Sequence, residues 1–403
     1  MQSAIKYQFP TDWIRYDARA VLRDLVSARS AALSLQNTPY QRDWVEKLQK
    51  MQLKMEVAGT SRIEGADLTE SELDAAINPA ARTEDLITRS QRQVKAAADT
   101  YRWIATIPKD FPITEHFIFS VHARMVTGCD DDHCPPGQLR KLDENVTFGL
   151  PRHRGCDGGS ECRKAFSQLV DAFNHEYKDH DPLIQAIAFH YHFAAMHPFL
   201  DGNGRTARAL EALILQRAGL RDTVFIAMSN YYYEEKQEYL KVLSEVHAQG
   251  HNLTPFISFG LRGVALQCQR LFFEIKKNVQ KAVFKTTMYD LFNRLESPRK
   301  RVLAKRQLHL LNILLDKEQV EVNEFVKAAR AAYNDLHNPI KALGRDVGAL
   351  LVLGAVQFRA GDSGSPPSPS FLAINLNWPE EITETDFLTK IKQLPRGKQF
   401  SFL

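Results

Sequence analysis

The stretch "HPFLDGNGRTAR", His197 to Arg208, packs a histidine, a carboxylate, a Gly-Asn-Gly turn and two arginines into consecutive positions. Pro198 disfavours helical geometry in the residue before it, so a helix arriving from upstream must end near His197. One does arrive: in "DPLIQAIAFHYHFAAM", Leu183, Ile184, Ile187, Ala188, Tyr191, Ala194 and Ala195 form one apolar stripe at helical spacing. Downstream, "RTARALEALILQRAGL" resumes helical periodicity near Arg205, and Gly219 supplies a C-terminal stop. The stretch is therefore a helix–loop–helix junction, and the fold around it is expected to be mainly α.

The composition of the loop points to anion chemistry. Gly202 and Gly204 allow backbone angles closed to other residues, so main-chain N–H groups can turn inward. Asn203 lies between them, and Thr206 and Ala207 continue the first turn of the second helix. The unpaired N–H groups of that turn and its positive dipole end face the same space. Arg205 and Arg208, one turn apart, can add forked donors for phosphate oxygens. Asp201 is a hard oxygen ligand suited to Mg2+. His197 can accept a proton near neutral pH. A base, a metal ligand and a phosphate cradle together describe phosphoryl or nucleotidyl transfer.

The rest of the chain sets limits on this reading. At 403 residues it is long enough for about two or three domains. Apolar residues make up 44% and charged residues 25%, the balance of a soluble globular protein. No run of about 18 apolar residues appears, so no membrane span is expected. Five cysteines, an odd number, fit a reducing cytoplasm better than a disulfide framework. The net charge of +4 does not by itself imply nucleic acid.

Residues 16–105 read as helical, and Thr69 stands three before Glu72 in a capping-box arrangement. The Gly- and Pro-rich segment "PPGQLRKLDENVTFGLPRHRGCDGGSE" reads as a short hairpin or flap. Beyond about residue 285, a helix, a "VEV" strand, two further helices and two strands follow the order of a winged helix-turn-helix. The low-complexity "GDSGSPPSPS" joins those last two strands. The basic run Ser297–Arg306 at the entrance of this unit makes DNA a candidate partner. Cys129, His133, Cys134, His153, Cys156 and Cys162 match no common zinc spacing. The tyrosines of "SNYYYEEKQEYLKVL" are candidates for core or substrate-side packing.

"HPFLDGNGRTAR" resembles the Fic motif, His-x-Phe-x-(Asp/Glu)-Gly-Asn-Gly-Arg-x-x-Arg, at every fixed position, and the resemblance extends over roughly residues 114–260. It implies an all-helical Fic core with a short β-hairpin flap, and transfer of AMP from ATP to a Thr, Ser or Tyr hydroxyl of a protein, self-modification included. By the same resemblance His197 is the general base, Phe199 packs the loop into the core and Asp201 binds Mg2+. Gly202 to Gly204 form the anion cradle, and Arg205 and Arg208 hold the outer phosphates. "PPGQLRKLDENVTFG" is similar to the Fic flap, which follows a Gly-x-x-Arg element and pairs with the target as an added strand. Leu142, Asn145 and Val146 are its candidate contacts, although "RHRGCDGGSEC" departs from the usual exit sequence. Upstream, "TSRIEG", Thr60 to Gly65, resembles the inhibitory motif (Ser/Thr)-x-x-x-Glu-(Gly/Asn) of Fic proteins that carry their own autoinhibitory helix. This implies that Glu64 pairs with Arg208 and occupies the fork meant for the γ-phosphate. The expected layout is an N-terminal helical region (1–113), a Fic domain (114–270) and a winged-helix-like domain (286–403), compatible with a homodimer. A nucleotide-responsive DNA-binding regulator and an enzyme that removes AMP are the alternative readings.

Overall fold

The computed structural model of the chain describes residues 4–38, 42–130, 132–149, 151–220, 226–294, 300–360 and 370–393. Internal contacts divide the chain into two units, Met1–Ile275 and Lys276–Leu403. The first opens with a two-residue strand, β1 (Ile5–Lys6), followed by helices α1 (Ala18–Asn37), α2 (Arg42–Ile63), α3 (Glu70–Ile77), α4 (Arg89–Ile104) and α5 (Glu115–Val126). A hairpin of β2 (Thr147–Phe148) and β3 (His153–Arg154) precedes α6 (Ser160–Asn174), α7 (Pro182–Met196), α8 (Asn203–Leu215), α9 (Met228–Glu234) and α10 (Lys236–Ala248). Helix α11 (Thr254–Asn293) carries the chain into the second unit.

Local chemistry explains where these helices begin. Asp17 caps α1 by accepting from the Arg19 and Ala20 amides, and Asp181 caps α7 with Pro182 in its first turn. Thr69 and Glu72 form the reciprocal capping box read from the sequence, and Thr88 and Gln91 form a second one. Every residue of α7 from Ala186 to Met196 is buried, so α7 is the central helix of the unit and not merely amphipathic. α8 packs against it and is buried over nearly its whole length.

The flap sheet holds a strand that the sequence did not suggest. β3 pairs antiparallel with β2 and, on its other edge, parallel with β1, which puts Ile5 opposite His153 and Lys6 opposite Arg154. Two residues are too few for alternation to register as a strand signal.

The second unit contains α12 (Lys300–Lys317), β4 (Gln319–Glu321), α13 (Val322–Ala329), α14 (Pro339–Leu353), β5 (Val356–Ala360), β6 (Ser370–Ile374), α15 (Trp378–Glu381) and α16 (Glu384–Gln393). The strands form one antiparallel sheet ordered β4-β6-β5. Leu310, Leu314, Phe325, Val347, Leu350, Leu372 and Trp378 share its core. The element order is the one read from the sequence as a winged helix, with the strand at 319–321. Residues 297–299 of the basic run and most of "GDSGSPPSPS" lie outside the described residues, and the rest of the run opens α12. Among the described residues no helix is long and apolar enough to cross a membrane.

Candidate active site

α7 ends at Met196, and His197 follows in the left-handed region with φ 50°. Its Nδ1–H donates to Ala194 O at 2.6 Å. A carbonyl can only accept, so Nδ1 carries the proton and Nε2 presents a lone pair. Burial depresses the imidazole to about 4, outweighing the bond to Ala194, so the ring is neutral at ordinary pH. Phe148 of β2 stacks on it, with ring centroids 3.8 Å apart.

The loop closes on itself. Phe199 N–H donates to Asn203 Oδ1 and Asn203 Nδ2 donates to Phe199 O, both at 2.9 Å. The Asn203 amide is thereby used inside the loop. Gly202 takes φ 74°, and a Cβ there would lie 2.8 Å from Val126 Cγ1, so both the angle and the space call for glycine. The amide of Thr206 already donates to Gly202 O at 2.9 Å, and the side chains of Thr206 and Ala207 are buried. The free N–H donors of the α8 N-terminus are therefore those of Asn203, Gly204 and Arg205.

These residues line a cavity of about 400 Å³. Glu64, Asp201, Asn203, Gly204 and Arg208 lie on its wall near the helix N-terminus; Tyr239, Leu240, Leu243, Ser244 and His247 of α10 and Phe148 and His153 of the flap complete it. The two arginines divide. Arg208 faces the cavity, whereas Arg205 does not share this position with it. Arg205 Nη1 pairs with the buried Asp130 at 2.7 Å and donates to Met125 O at 3.3 Å. A buried carboxylate needs a counterion, and Asp130 takes Arg205.

Glu64 and Arg208 meet across 144 positions of sequence. Arg208 Nη2 donates to Glu64 Oε1 at 2.5 Å, and its Nε donates to Thr60 Oγ1 at 2.8 Å. Burial alone would raise the Glu64 carboxyl, but the Arg208 guanidinium outweighs it and holds the group below the usual carboxylate range. A Cβ at Gly204 would collide with Glu64 Oε1, so the carboxylate lies directly over the start of α8. Gly65 follows with φ 89°, turning the chain away after α2.

Of the flap candidates, Val146 lines the cavity, while Leu142 is 74% exposed and Asn145 is exposed. The cysteines support the loop from behind: Cys156 Sγ donates to Met196 O at 3.3 Å and Cys162 Sγ to Pro198 O at 3.5 Å. Cys134 Sγ accepts from the Asp201 amide at 3.3 Å.

Several supporting residues escaped the sequence reading. Arg140, 2% exposed, donates from Nε to His197 O at 2.7 Å, from Nη1 to Glu144 O and from Nη2 to Cys156 O, both at 2.6 Å, and so ties the flap to His197. His122 stacks on Phe199 at 3.6 Å; its Nδ1 accepts from Gly137 N–H and its Nε2 donates to Asp201 O. His190 bridges Glu211 and Tyr239 at 2.8 and 3.0 Å, fixing the tyrosine on the cavity wall. The available signal was a histidine inside an otherwise apolar helix, at His122 in α5 and His190 in α7, since a buried polar ring requires partners.

The fold and site define a helical domain that offers a neutral imidazole, an arginine and a helix N-terminus to an anion. Residues 112–215 match the Fic/DOC family profile. Protein adenylyltransferase Fic of Nematostella vectensis is 29% identical over 164 residues, 39% of this chain and 33% of that protein. Its namesake from Drosophila grimshawi is 35% identical over 162 residues, 38% and 29% of the two chains. The chain thus spans about a third of the length of the curated relatives it matches. A Fic family protein from Desulfovibrio desulfuricans G20 shares the fold with TM-score 0.56 at 17% identity, over 92% of this chain and 98% of that one.

Proposed function

We propose that the protein transfers AMP from ATP to a Ser, Thr or Tyr hydroxyl of a protein, its own chain included, and that Glu64 holds this activity down. The observation that carries the reading is the geometry of His197, whose Nε2 lone pair borders a cavity that Arg208 and the α8 N-terminus also line. In this reaction the target hydroxyl attacks the α-phosphorus, its proton passes to His197 Nε2, and the bond to pyrophosphate breaks. Asn203, Gly204 and Arg205 offer N–H groups to the phosphates, and Arg208 offers a fork. Asp201, one-third exposed on the cavity wall, fits a hard divalent cation. Mg2+ held there would neutralise phosphate charge. Tyr239 and the flap supply the walls for a base.

With Arg208 Nη2 on Glu64 Oε1, the γ-phosphate lacks its partner until the carboxylate leaves. The curated relatives' name, protein adenylyltransferase, supports the same chemistry. Five cysteines, all buried and free, support a reducing, cytoplasmic setting. The test is incubation of wild type and Glu64→Gly with ATP labelled on the α-phosphate, Mg2+ and native lysate. Label should enter protein, more strongly with the variant. Label confined to free nucleotide in both would reject the transferase reading.

A further inference from the structure

Both oxygens of Asp201 are engaged. Oδ1 accepts from Gly202 N–H at 2.6 Å and lies 3.4 Å from Arg205 Nη2. Oδ2 accepts from Arg89 Nη2 at 3.1 Å and lies 3.3 Å from His133 Nε2. Arg89, the first residue of α4, reaches the loop from the N-terminal helices. Its Nε is anchored on the buried Asp130 at 2.6 Å, while the side chain as a whole is 52% exposed. Its Nη2 lies between the two carboxylates, 2.6 Å from Asp130 Oδ1 and 3.1 Å from Asp201 Oδ2, with His133 Nε2 at 3.0 Å.

A guanidinium and a divalent cation are alternative partners for one carboxylate oxygen, because two positive charges held about 4 Å apart repel. We propose that Arg89 is a positioning residue that competes with the divalent cation for Asp201 Oδ2. The N-terminal helices then guard the loop twice: α2 leads to an anion on the phosphate-binding arginine, and α4 brings a cation onto the metal-binding carboxylate. Metal-bound nucleotide must displace both. The inference rests on the reading of Asp201 as the metal ligand.

The test is direct binding of Mn2+ to the full chain, read as loss of the free-ion electron paramagnetic resonance signal and independent of turnover. Removing a half-exposed ion pair should tighten Mn2+ binding by about fivefold in Arg89→Met, the scale of such pairs. Arg89→Gln, which keeps donors but no charge, should do the same, so a folding defect in one variant does not decide the matter. Arg89→Lys should stay near wild type. Asp201→Asn should abolish the binding in every background. Unchanged or weaker Mn2+ binding in both neutral Arg89 variants, with Asp201→Asn still abolishing it, overturns the competition and leaves Asp201 as the ligand. Full binding by Asp201→Asn overturns the ligand reading itself.

Discussion

His197 is held neutral by burial and oriented by one carbonyl, and both properties have measurable consequences. An imidazole that protonates only near pH 4 does not titrate in an ordinary assay. Transfer by Glu64→Gly should therefore be level between about pH 6 and about pH 8. It should fall only as pH drops towards 4, where the ring gains its proton and loses the lone pair; a rate profile with its midpoint near neutrality would assign the base elsewhere. His197→Ala should keep ATP binding, measured by calorimetry, and lose transfer by a factor on the order of 10^2 or more. Arg208 carries the complementary argument. It cannot lose its charge, so only a competing anion can occupy it. A charge-assisted pair of about 1.5–3 kcal/mol corresponds to about a tenfold to hundredfold change in the competent population. Glu64→Gly should raise self-modification by that factor. Arg208→Ala should be inactive and stay so when combined with Glu64→Gly, because the phosphate contact itself is gone. Equal self-modification by Glu64→Gly and wild type would reduce the Glu64–Arg208 pair to a structural contact.

α2 shows what a motif reveals at the scale of an element and what it hides. Thr60 and Glu64 stood out by resemblance, but the contacts that seat their helix did not. Gln52 accepts from the Ala227 amide at 3.2 Å, Glu56 from the Ser229 amide at 2.9 Å and Tyr101 at 2.8 Å, and Gly59 abuts the Ser229 backbone with no room for a Cβ. Lys236 Nζ donates to Ile63 O at 2.8 Å. Positions 52, 56, 59 and 63 share one helix face, and no hydrophobic period marks it because its contacts are mostly polar or backbone. The Ser229 hydroxyl also donates to Glu56, yet burial outweighs its three donors and pushes its carboxyl up to about 7. A carboxyl raised on folding stabilises the native state below its unfolded value and loses that contribution as pH rises through the folded one. Tm should therefore fall by a few degrees between about pH 6 and about pH 8, at about 2–4 °C per kcal/mol. Glu56→Gln should flatten that slope. An unchanged slope in calorimetry would mean that other groups set it.

Across the whole molecule, the helix–loop–helix at the centre was legible because proline, glycine and period break at one place. α11 was not, because glycines near residue 260 are poor helix formers. A Cβ at Gly260 would meet Ile187, and one at Gly263 would meet Tyr231. These glycines permit close packing inside a 40-residue helix. The second unit was legible in its order of elements, and its role is open to a direct measurement. α14 buries Leu343, Val347, Leu350 and Leu353 and exposes Ile340, Lys341, Arg345 and Val352. If the unit reads DNA as a winged helix, these cations touch phosphates. Affinity of the full chain for duplex DNA should then fall steeply between about 50 and 200 mM salt. Lys341→Glu with Arg345→Glu should weaken binding at low salt. Failure of wild type to bind at low salt would assign the unit to protein contacts.

The φ of 50° at His197 has one more consequence. A non-glycine residue in this region costs on the order of 1–3 kcal/mol; glycine escapes the cost, and asparagine, aspartate and histidine bear it more readily than other residues. Selection for stability alone would therefore favour glycine there, and on the proposed function it is selection for turnover that keeps the histidine. In gene copies that have drifted out of use, position 197 is expected to be among the first in the loop to change, and to change towards glycine or asparagine. On the proposed function, the residue found there in a relative would then record whether the loop has remained under catalytic selection.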